Sequence, residues 1–329
     1  MKILVTGGAG YIGGHMVLGL LDRGITPVVL DDMSNGVPWA LQPGVPSYSG
    51  DVGNYELLSQ IMKEHEIDTI MHFAARLITP QFYDKPLEYY HQNTVKTRAL
   101  LQAATDHRIK RFVFSATAAV YGNPKVNPVS ETAEIAPLSA YGMSKWMSEC
   151  MLNDVARHSD LKFVALRYFN VAGADPQGRY GQSTTKTTLL VQIAVQHALG
   201  VRGEMEVFGT DYDTIDGTCV RDYIHVSDLV DAHLRALDHL NAGGESLTCN
   251  VGYGHGFSVK QVIETVKAIS GSDFPVRYGP RRLGDAIEVV AKADLVRERL
   301  GWSPQYDDLD TIVTHALNWE RALQERYRF

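Results

Sequence analysis

The feature that most constrains this 329-residue chain is its opening. A short apolar run, Ile3-Leu4-Val5, ends in Thr6-Gly7-Gly8-Ala9-Gly10, and a four-residue recurrence of Ile12, Met16 and Leu20, with Val17 and Leu21 beside them, begins at once. That reads as a buried strand, a tight turn and a helix with one apolar stripe. Gly7, Gly10 and Gly13 would let the backbone approach a pyrophosphate, and a helix start offers unpaired N–H groups and the positive end of a dipole. A plain tight turn could carry the same glycines. The reading is sharpened by Asp31, which lies 18 residues after Gly13 at the end of a second apolar run, Pro27 to Leu30. Strand, glycine turn, helix and acid together follow the dinucleotide fingerprint. Asp31 would accept hydrogen bonds from an adenosine ribose. Its charge, doubled by Asp32, would repel the extra phosphate of NADP, so NAD is the expected cofactor. A solvated turn is the alternative for Asp31-Asp32.

The pattern then repeats, with helices at about 55–65, 87–106 and 141–158 and strands at 69–73, 111–115 and 163–166. Such alternation predicts an α/β fold, a doubly wound parallel sheet of Rossmann type. After Tyr168 the texture changes, and Gly, Pro, Asp and Thr concentrate between Gly173 and Thr188. The expected organisation is an NAD-binding domain over 1–174, with returning segments at about 222–252, interleaved with a smaller, mixed C-terminal substrate lobe over 175–329. Segments 224–240 and 247–251 look able to rejoin the sheet.

A formal charge of −7 argues against a broad nucleic-acid-binding face, so an anionic ligand must be held by a few placed cations and backbone dipoles. Three scattered cysteines, Cys150, Cys219 and Cys249, fit unpaired thiols in a reducing compartment. No signal-peptide layout and no bilayer-length apolar run is present, so the expectation is a cytoplasmic protein without a membrane partner.

Tyr141 and Lys145 form YxxxK at a helix start, which puts both side chains on one face. A phenol titrates near 10, too high for a base at neutral pH. A nearby ammonium and a bound nicotinamide cation would favour the phenolate. YxxxK is common by chance; its weight comes from the preceding hydroxyl-bearing segment, Ser115 to Gly122, just beyond a parallel strand. Thr117 there could hydrogen-bond a substrate hydroxyl or merely cap local backbone.

TGGAGYIGGH, HFAA (72–75), PLEYY with Asn93, VYG, YGMSK, RYFNVAGADP, VFGTDY and GTCVRDYIHV together resemble the extended short-chain dehydrogenase superfamily and, within it, the UDP-glucose 4-epimerases. The resemblance covers almost the whole chain. It implies epimerisation at C4 of a UDP-hexose, UDP-glucose or UDP-galactose, through a transient 4-keto sugar on permanently held NAD, with Tyr141, Lys145 and Thr117 catalytic. It carries cofactor contacts to Gly7, Gly10, Tyr11, Ile12, Gly13, Asp31, Asp32, Asn35, Asp51, Val52, Phe73, Ala74, Ala75, Asn93, Tyr141, Lys145 and Phe169. The UDP-sugar contacts it implies are Asn170, Leu189, Val207 and Phe208 (the uracil platform), Arg221 and Arg282 (diphosphate), Asp285 (ribose) and Val289, besides Thr117 and Tyr141. Related enzymes pair the helices near 87–106 and 141–158 into a four-helix bundle, so a homodimer is expected. Burial of Tyr89, Tyr90, Trp146, Met147 and Met151 under the chain's own second lobe is the alternative.

The chain departs from that pattern in four places. Thr117 replaces a serine; Ile78-Thr79-Pro80-Gln81-Phe82 replaces V-x-E-S; Thr188-Leu189 replaces Asn-Leu; and Val289 stands where hexose-strict enzymes often carry tyrosine. The last substitution could admit an N-acetyl group. A 4,6-dehydratase would need an Asp-Glu pair beside Thr117, where Ala116, Ala118 and Ala119 stand instead. A UDP-glucuronate decarboxylase and a non-catalytic NAD-sensing module are further alternatives. No metal site is expected: HExxH and GxSxG are absent, and His72 reads as a packed structural histidine.

Overall fold

The structure, a computed structural model, describes residues 1–77, 85–184, 187–282 and 284–327. In chain order its elements are β1 (Ile3–Thr6), α1 (Tyr11–Asp22), β2 (Val28–Asp31), β3 (Ser47–Ser49), α2 (Tyr55–Glu64), β4 (Thr69–His72), α3 (Pro86–Tyr89), α4 (Lys96–Asp106), β5 (Arg111–Ser115), α5 (Ala140–Arg157), β6 (Lys162–Tyr168) and β7 (Asn170–Ala172). There follow α6 (Leu190–Ala198), β8 (Met205–Phe208), β9 (Val220–Arg221), β10 (Tyr223–His225), α7 (Val226–Asn241), β11 (Leu247–Val251), β12 (Phe257–Ser258), α8 (Val259–Ser270), β13 (Val276–Gly279), β14 (Glu288–Val289), α9 (Asp294–Leu300) and α10 (Leu309–Tyr327).

Seven strands make one parallel sheet in the order β11-β6-β5-β4-β1-β2-β3, the doubly wound Rossmann arrangement expected. Both faces are covered over the central strands, which are therefore largely apolar, and their side chains divide by the two-residue pleat. Ile3, Val5, Val29, Met71, Val113 and Val164 enter one core with Met16, Val17 and Leu20 of α1 and Leu229 and Leu237 of α7. Leu4, Leu30, Ile70, Phe112 and Phe163 enter the other with Leu58 and Ile61 of α2 and Leu100 of α4. The winding direction reverses between β1 and β4, and the crevice beyond their carboxyl ends is where open α/β sheets bind ligands. Three smaller sheets lie outside: β12-β9-β14, which is mixed, and the parallel pairs β10-β7 and β13-β8.

Three features differ from the sequence reading. The helix expected over 87–106 is interrupted by a π-helical stretch, Tyr90–Val95, between α3 and α4. The wider turn brings Asn93 against α5, where it is fully hydrogen-bonded, and single π turns of this kind recur at functional sites. Of the returning segments, Leu247–Val251 joins the sheet beside β6, whereas 224–240 splits. Its start pairs with β7 outside the sheet, and its remainder becomes α7, packed over the sheet. Finally, β3 closes the far edge with Ser47-Tyr48-Ser49, a run without an apolar period to betray it. No helix among the described residues is long and apolar enough to cross a membrane.

Candidate active site

β1 delivers the glycine turn to the crevice. Gly7 adopts φ +73°, and a Cβ on it would lie 2.7 Å from the Ala74 backbone nitrogen, so the turn is pressed against the segment leaving β4. A Cβ on Gly13 would lie 2.0 Å from Gly7 O, so the third glycine lets α1 close onto the turn. Gly10, by contrast, would meet only Gly7 O, at 3.3 Å, and its other side is open. No side chain caps α1. The N–H groups of Tyr11, Ile12 and Gly13 precede the first helical bond, Gly14 N to Gly10 O, and form the unpaired donor set of a helix start. An open approach at Gly10 and a row of donors fit a dinucleotide pyrophosphate. Tyr180, which the sequence reading missed, braces this loop: its hydroxyl donates to Ala9 O at 3.1 Å and Gly10 O at 3.2 Å. Its signal was Gly14, where a Cβ would come within 2.3 Å of the Tyr180 ring.

Asp31 is buried at the end of β2. Its carboxylate accepts from Ala9 N at 2.9 Å and Met33 N at 2.8 Å, so it ties the glycine turn to β2 as well as facing the crevice. Burial pushes its pKa up, against the pull of those two N–H groups. Asp32 is exposed and bonds Ser34 N, as a solvated turn would, and Asn35 beside it is exposed. Asp51 holds Lys96 Nζ at 2.6 Å and sits next to buried Val52. Phe73, Ala74 and Ala75 leave β4 half-buried. Asn93 donates to Arg76 O and Ser144 Oγ and accepts from Arg76 N at 2.7 Å, so its side chain links the segment after β4 to α5. Ile78-Thr79-Pro80-Gln81-Phe82 lies outside the described residues. His72 is buried between Thr6 Oγ1 and Thr97 Oγ1, as a structural histidine should be, and burial drives its pKa down to about 3.

Tyr141 is the second residue of α5, whose N-cap Ser139 accepts from Gly142 N at 3.2 Å. Of the two roles its position allowed, Thr117 fills the local one. Its Oγ1 caps the short turn Ala118–Tyr121 by accepting from Ala119 N at 3.2 Å, and its hydroxyl lies near enough to the Tyr141 phenol to favour the phenolate. The electrostatics differ from the sequence expectation. Burial raises the Tyr141 pKa, Tyr89 (ring centroids 6.3 Å apart) adds to the rise, and among the described residues only Thr117 pulls it down. Lys145 is buried with Nζ 4.5 Å from the centre of the Phe114 ring, and desolvation drives its own pKa down to about 7, against the pull of Glu149. Desolvation disfavours both charged forms at once, and a further positive charge beside Tyr141 would favour its phenolate. The sequence reading also missed Tyr168, whose hydroxyl forms a very short hydrogen bond with Ser115 Oγ and whose pKa is raised by burial and, secondarily, by Tyr141. Phe169, next in the chain, is buried.

The remaining candidates gather along β9, β14 and β8. Asn170 donates its N–H to Asp222 O, next to Arg221. Arg221 lies on β9 opposite Val289 of β14, with its guanidinium on the backbone oxygens of Val220, Ala286 and Ile287. Val289 is buried. Asn123 and Asn127, just beyond the Thr117 turn, bond the backbone of Ile287, Glu288 and Val290, which ties this strand to the segment that follows the turn. Arg282 pairs with Asp285 at 3.0 Å and stands 4.8 Å over the Phe208 ring, while neighbouring Val207 is buried. Leu189, ahead of α6, lines a cavity of about 10 Å³ with Tyr11, Gly173 and Gln192. Among the described residues no group of three or more His, Cys, Asp or Glu side chains could hold a metal ion.

The NAD dependent epimerase/dehydratase family matches residues 3–252 of the chain. A UDP-glucose 4-epimerase of Azospirillum brasilense is 51% identical over 98% of this chain and 93% of that protein. The UDP-glucose 4-epimerase structure from Bifidobacterium longum, in complex with NAD+ and UDP, superposes with a TM-score of 0.93 at 36% identity, covering 98% of each chain. The UDP-Glc/GlcNAc 4-epimerase of Campylobacter jejuni superposes at 0.84 with 43% identity, covering 98% of this chain and 99% of that one. The chain belongs to the NAD dependent epimerase/dehydratase family.

Proposed function

We propose that this member of the family inverts C4 of UDP-glucose and UDP-galactose through a transient 4-keto sugar, with NAD as a resident cofactor. The observation that carries the reading is the approach of the Thr117 hydroxyl to the Tyr141 phenol, with Lys145 one turn away, at the edge of the sheet that also presents the glycine turn. When bound, NAD takes up the C4 hydride and returns it to the opposite face of the sugar. The residues around it do the rest. Gly7, Gly10 and Gly13 shape the turn on which Tyr11 and Ile12 offer their N–H groups to the pyrophosphate; Asp31, Asp32 and Asn35 face the adenosine ribose, and Asp51 and Val52 the adenine. Phe73 to Ala75, Asn93 and Phe169 border the nicotinamide end. Tyr141 Oη takes the O4 proton as the carbonyl forms and gives it back as the carbonyl closes, so no proton is gained or lost. Thr117 orients O4, and the cationic form of Lys145 supports the phenolate.

The sugar must turn over between the two hydride steps, so the UDP end has to supply the grip. Arg221 and Arg282 suit the diphosphate, since their planar forks make charge-assisted paired bonds. Asp285 then takes the uridine ribose, Val207 and Phe208 the uracil, and Asn170 and Leu189 the flanks. Segments within 175–329 act in this reading as the substrate lobe. A dehydratase is disfavoured by Ala116, Ala118 and Ala119, which offer no acid for elimination. A second reading, acceptance of N-acetylated UDP-sugars, is favoured by Val289, whose side chain is smaller than the tyrosine it replaces in the family pattern.

The face of α3, α4 and α5 supports a homodimer through a four-helix bundle. Leu87 is 78% exposed, and Val95 and Met147 are exposed too, whereas Tyr89 is buried within the chain itself. A dimer mass in solution is the expected result. The experiment for the activity is to incubate the purified protein with UDP-galactose and UDP-GalNAc without added cofactor and identify the products. UDP-glucose is expected from the first and UDP-GlcNAc from the second. No product from UDP-galactose would remove the main reading, and no product from UDP-GalNAc alone would remove the second.

A further inference from the structure

Arg167, on β6, is 4% exposed, yet no step described above uses its guanidinium. Its Nε and Nη2 donate to the two oxygens of Glu149 at 3.1 and 2.5 Å, a bidentate pair with both partners buried. Glu149 lies on α5, two turns after Tyr141. The third nitrogen, Nη1, donates to Tyr121 Oη at 3.0 Å, and Tyr121 donates onward to Asn250 Oδ1 of β11 at 2.7 Å. Tyr121 ends the short turn that Thr117 caps. One buried side chain thus holds both the helix that carries Tyr141 and the turn that carries Thr117. The rings of Tyr121 and Trp146, 5.3 and 5.5 Å from the guanidinium carbon, leave it little freedom.

Stability alone does not explain this arrangement, because a buried ion pair contributes no more than well-packed apolar residues of the same volume. A rigid fork fixes angle as well as distance. We infer that Arg167 is a positioning residue for the epimerisation: through Glu149 on one side and Tyr121 on the other, it holds α5 and the Thr117 turn in the register that lets Thr117 meet the Tyr141 phenol. The inference rests on Tyr141 being the proton-transferring residue. Small errors of register are costly in such sites, a misplacement of about 1 Å reducing rates by up to roughly a hundredfold.

Tyr121→Phe tests it with little change of volume and with the Arg167–Glu149 pair intact; Glu149→Gln loosens the other arm. Each is expected to lower kcat on UDP-galactose about tenfold with KM within about twofold. In Tyr121→Phe the acidic limb of the kcat–pH profile should also move to higher pH, because the phenol loses its alignment with Thr117. That substitution leaves Tyr89, Lys145 and Tyr168, the other titratable groups around the phenol, in place. Wild-type kcat and an unmoved limb, with only a lowered Tm, would mark Tyr121 and Arg167 as structural and overturn the inference. Tyr141→Phe is the control. If the wild-type protein does not turn over UDP-galactose, the functional reading has failed. If it does, and Tyr141→Phe alone is impaired, this inference has failed by itself. If one of the two variants does not fold, the kcat/KM split of the other decides.

Discussion

The two sides of the crevice hold their polar groups differently. At the sheet edge, the side chains proposed for chemistry are already held in place: Thr117 by the turn it caps, Asn93 by Ser144 and the Arg76 backbone, Asp31 by the glycine turn. Along β9 and the segment 281–289, the cations proposed for the diphosphate rest on substitutes. Arg221 is bonded to backbone oxygens, and Arg282, with its side chain 49% exposed, is paired with Asp285. The first arrangement is preorganised, as catalytic geometry requires. The second consists of contacts a phosphate can replace, since an exposed pair of this kind contributes about 1 kcal/mol or less. The contrast predicts that substitutions on one side act on kcat or on cofactor retention and those on the other act on KM.

The largest effect is expected at the sheet edge. Tyr141→Phe should lower kcat on UDP-galactose by about 10³-fold with little change in KM, the range for loss of a positioned acid–base group. A turnover assay with UDP-glucose detection reads it, and a KM effect of comparable size would erase the distinction between the two sides. Gly13→Ala comes next. A Cβ placed 2.0 Å from Gly7 O has only backbone to displace, so the turn must open. Overpacking of this kind costs about 1–3 kcal/mol, so roughly tenfold or more less NAD should copurify, measured on the denatured supernatant. Retention of NAD at the wild-type level would show that the turn does not hold the cofactor. On the other side, Arg221→Ala should raise KM by about tenfold to a hundredfold through loss of charge-assisted bonds, with kcat nearly unchanged. A fall in kcat alone would place Arg221 with the chemistry instead.

The same contrast governs what could be read from the sequence. The sheet edge was legible because fixed local spacings carry it: glycines for a turn, apolar strands with a two-residue pleat, Tyr and Lys four apart on a helix. The register between elements was not. Nothing local ties Arg167 to Tyr121 and Glu149, or Tyr180 to the glycine turn, because these pairs are 46, 18 and about 170 residues apart. The π-helical stretch escaped for a related reason: it answers to Asn93 meeting Ser144 across helices, whereas periodicity reports only on a helix's own faces. The depressed Lys145 and the raised Tyr141 pKa could not be anticipated either, since YxxxK encodes proximity but says nothing about desolvation.

The smallest effect per residue is expected from acid, and it falls chiefly on the sheet side. His15 on α1, His72 on β4 and His233 on α7 are buried and neutral, with pKa values driven by burial to about 4, 3 and 4. Each folded value lies below the unfolded one near 6.5. The unfolded chain therefore binds more protons between those limits, and stability rises with pH there. The contribution is complete above about pH 6.5 and drains away as pH falls towards 4, at about 1.4 kcal/mol per pH unit for each histidine. His233 isolates one of them. Its Nδ1 bonds Leu229 O at 2.8 Å, its Nε2 is buried without a hydrogen-bond partner, and its ring packs on Phe73 with centroids 4.9 Å apart. His233→Leu exchanges that orphaned nitrogen for methyl groups, so stability at pH 7.5 should change little. Urea unfolding at pH 7.5 and 5.5 should then show a loss smaller than the wild-type loss by about one proton's worth of slope. An identical loss in both proteins would mean that His233 is not the neutral, desolvated group its surroundings describe.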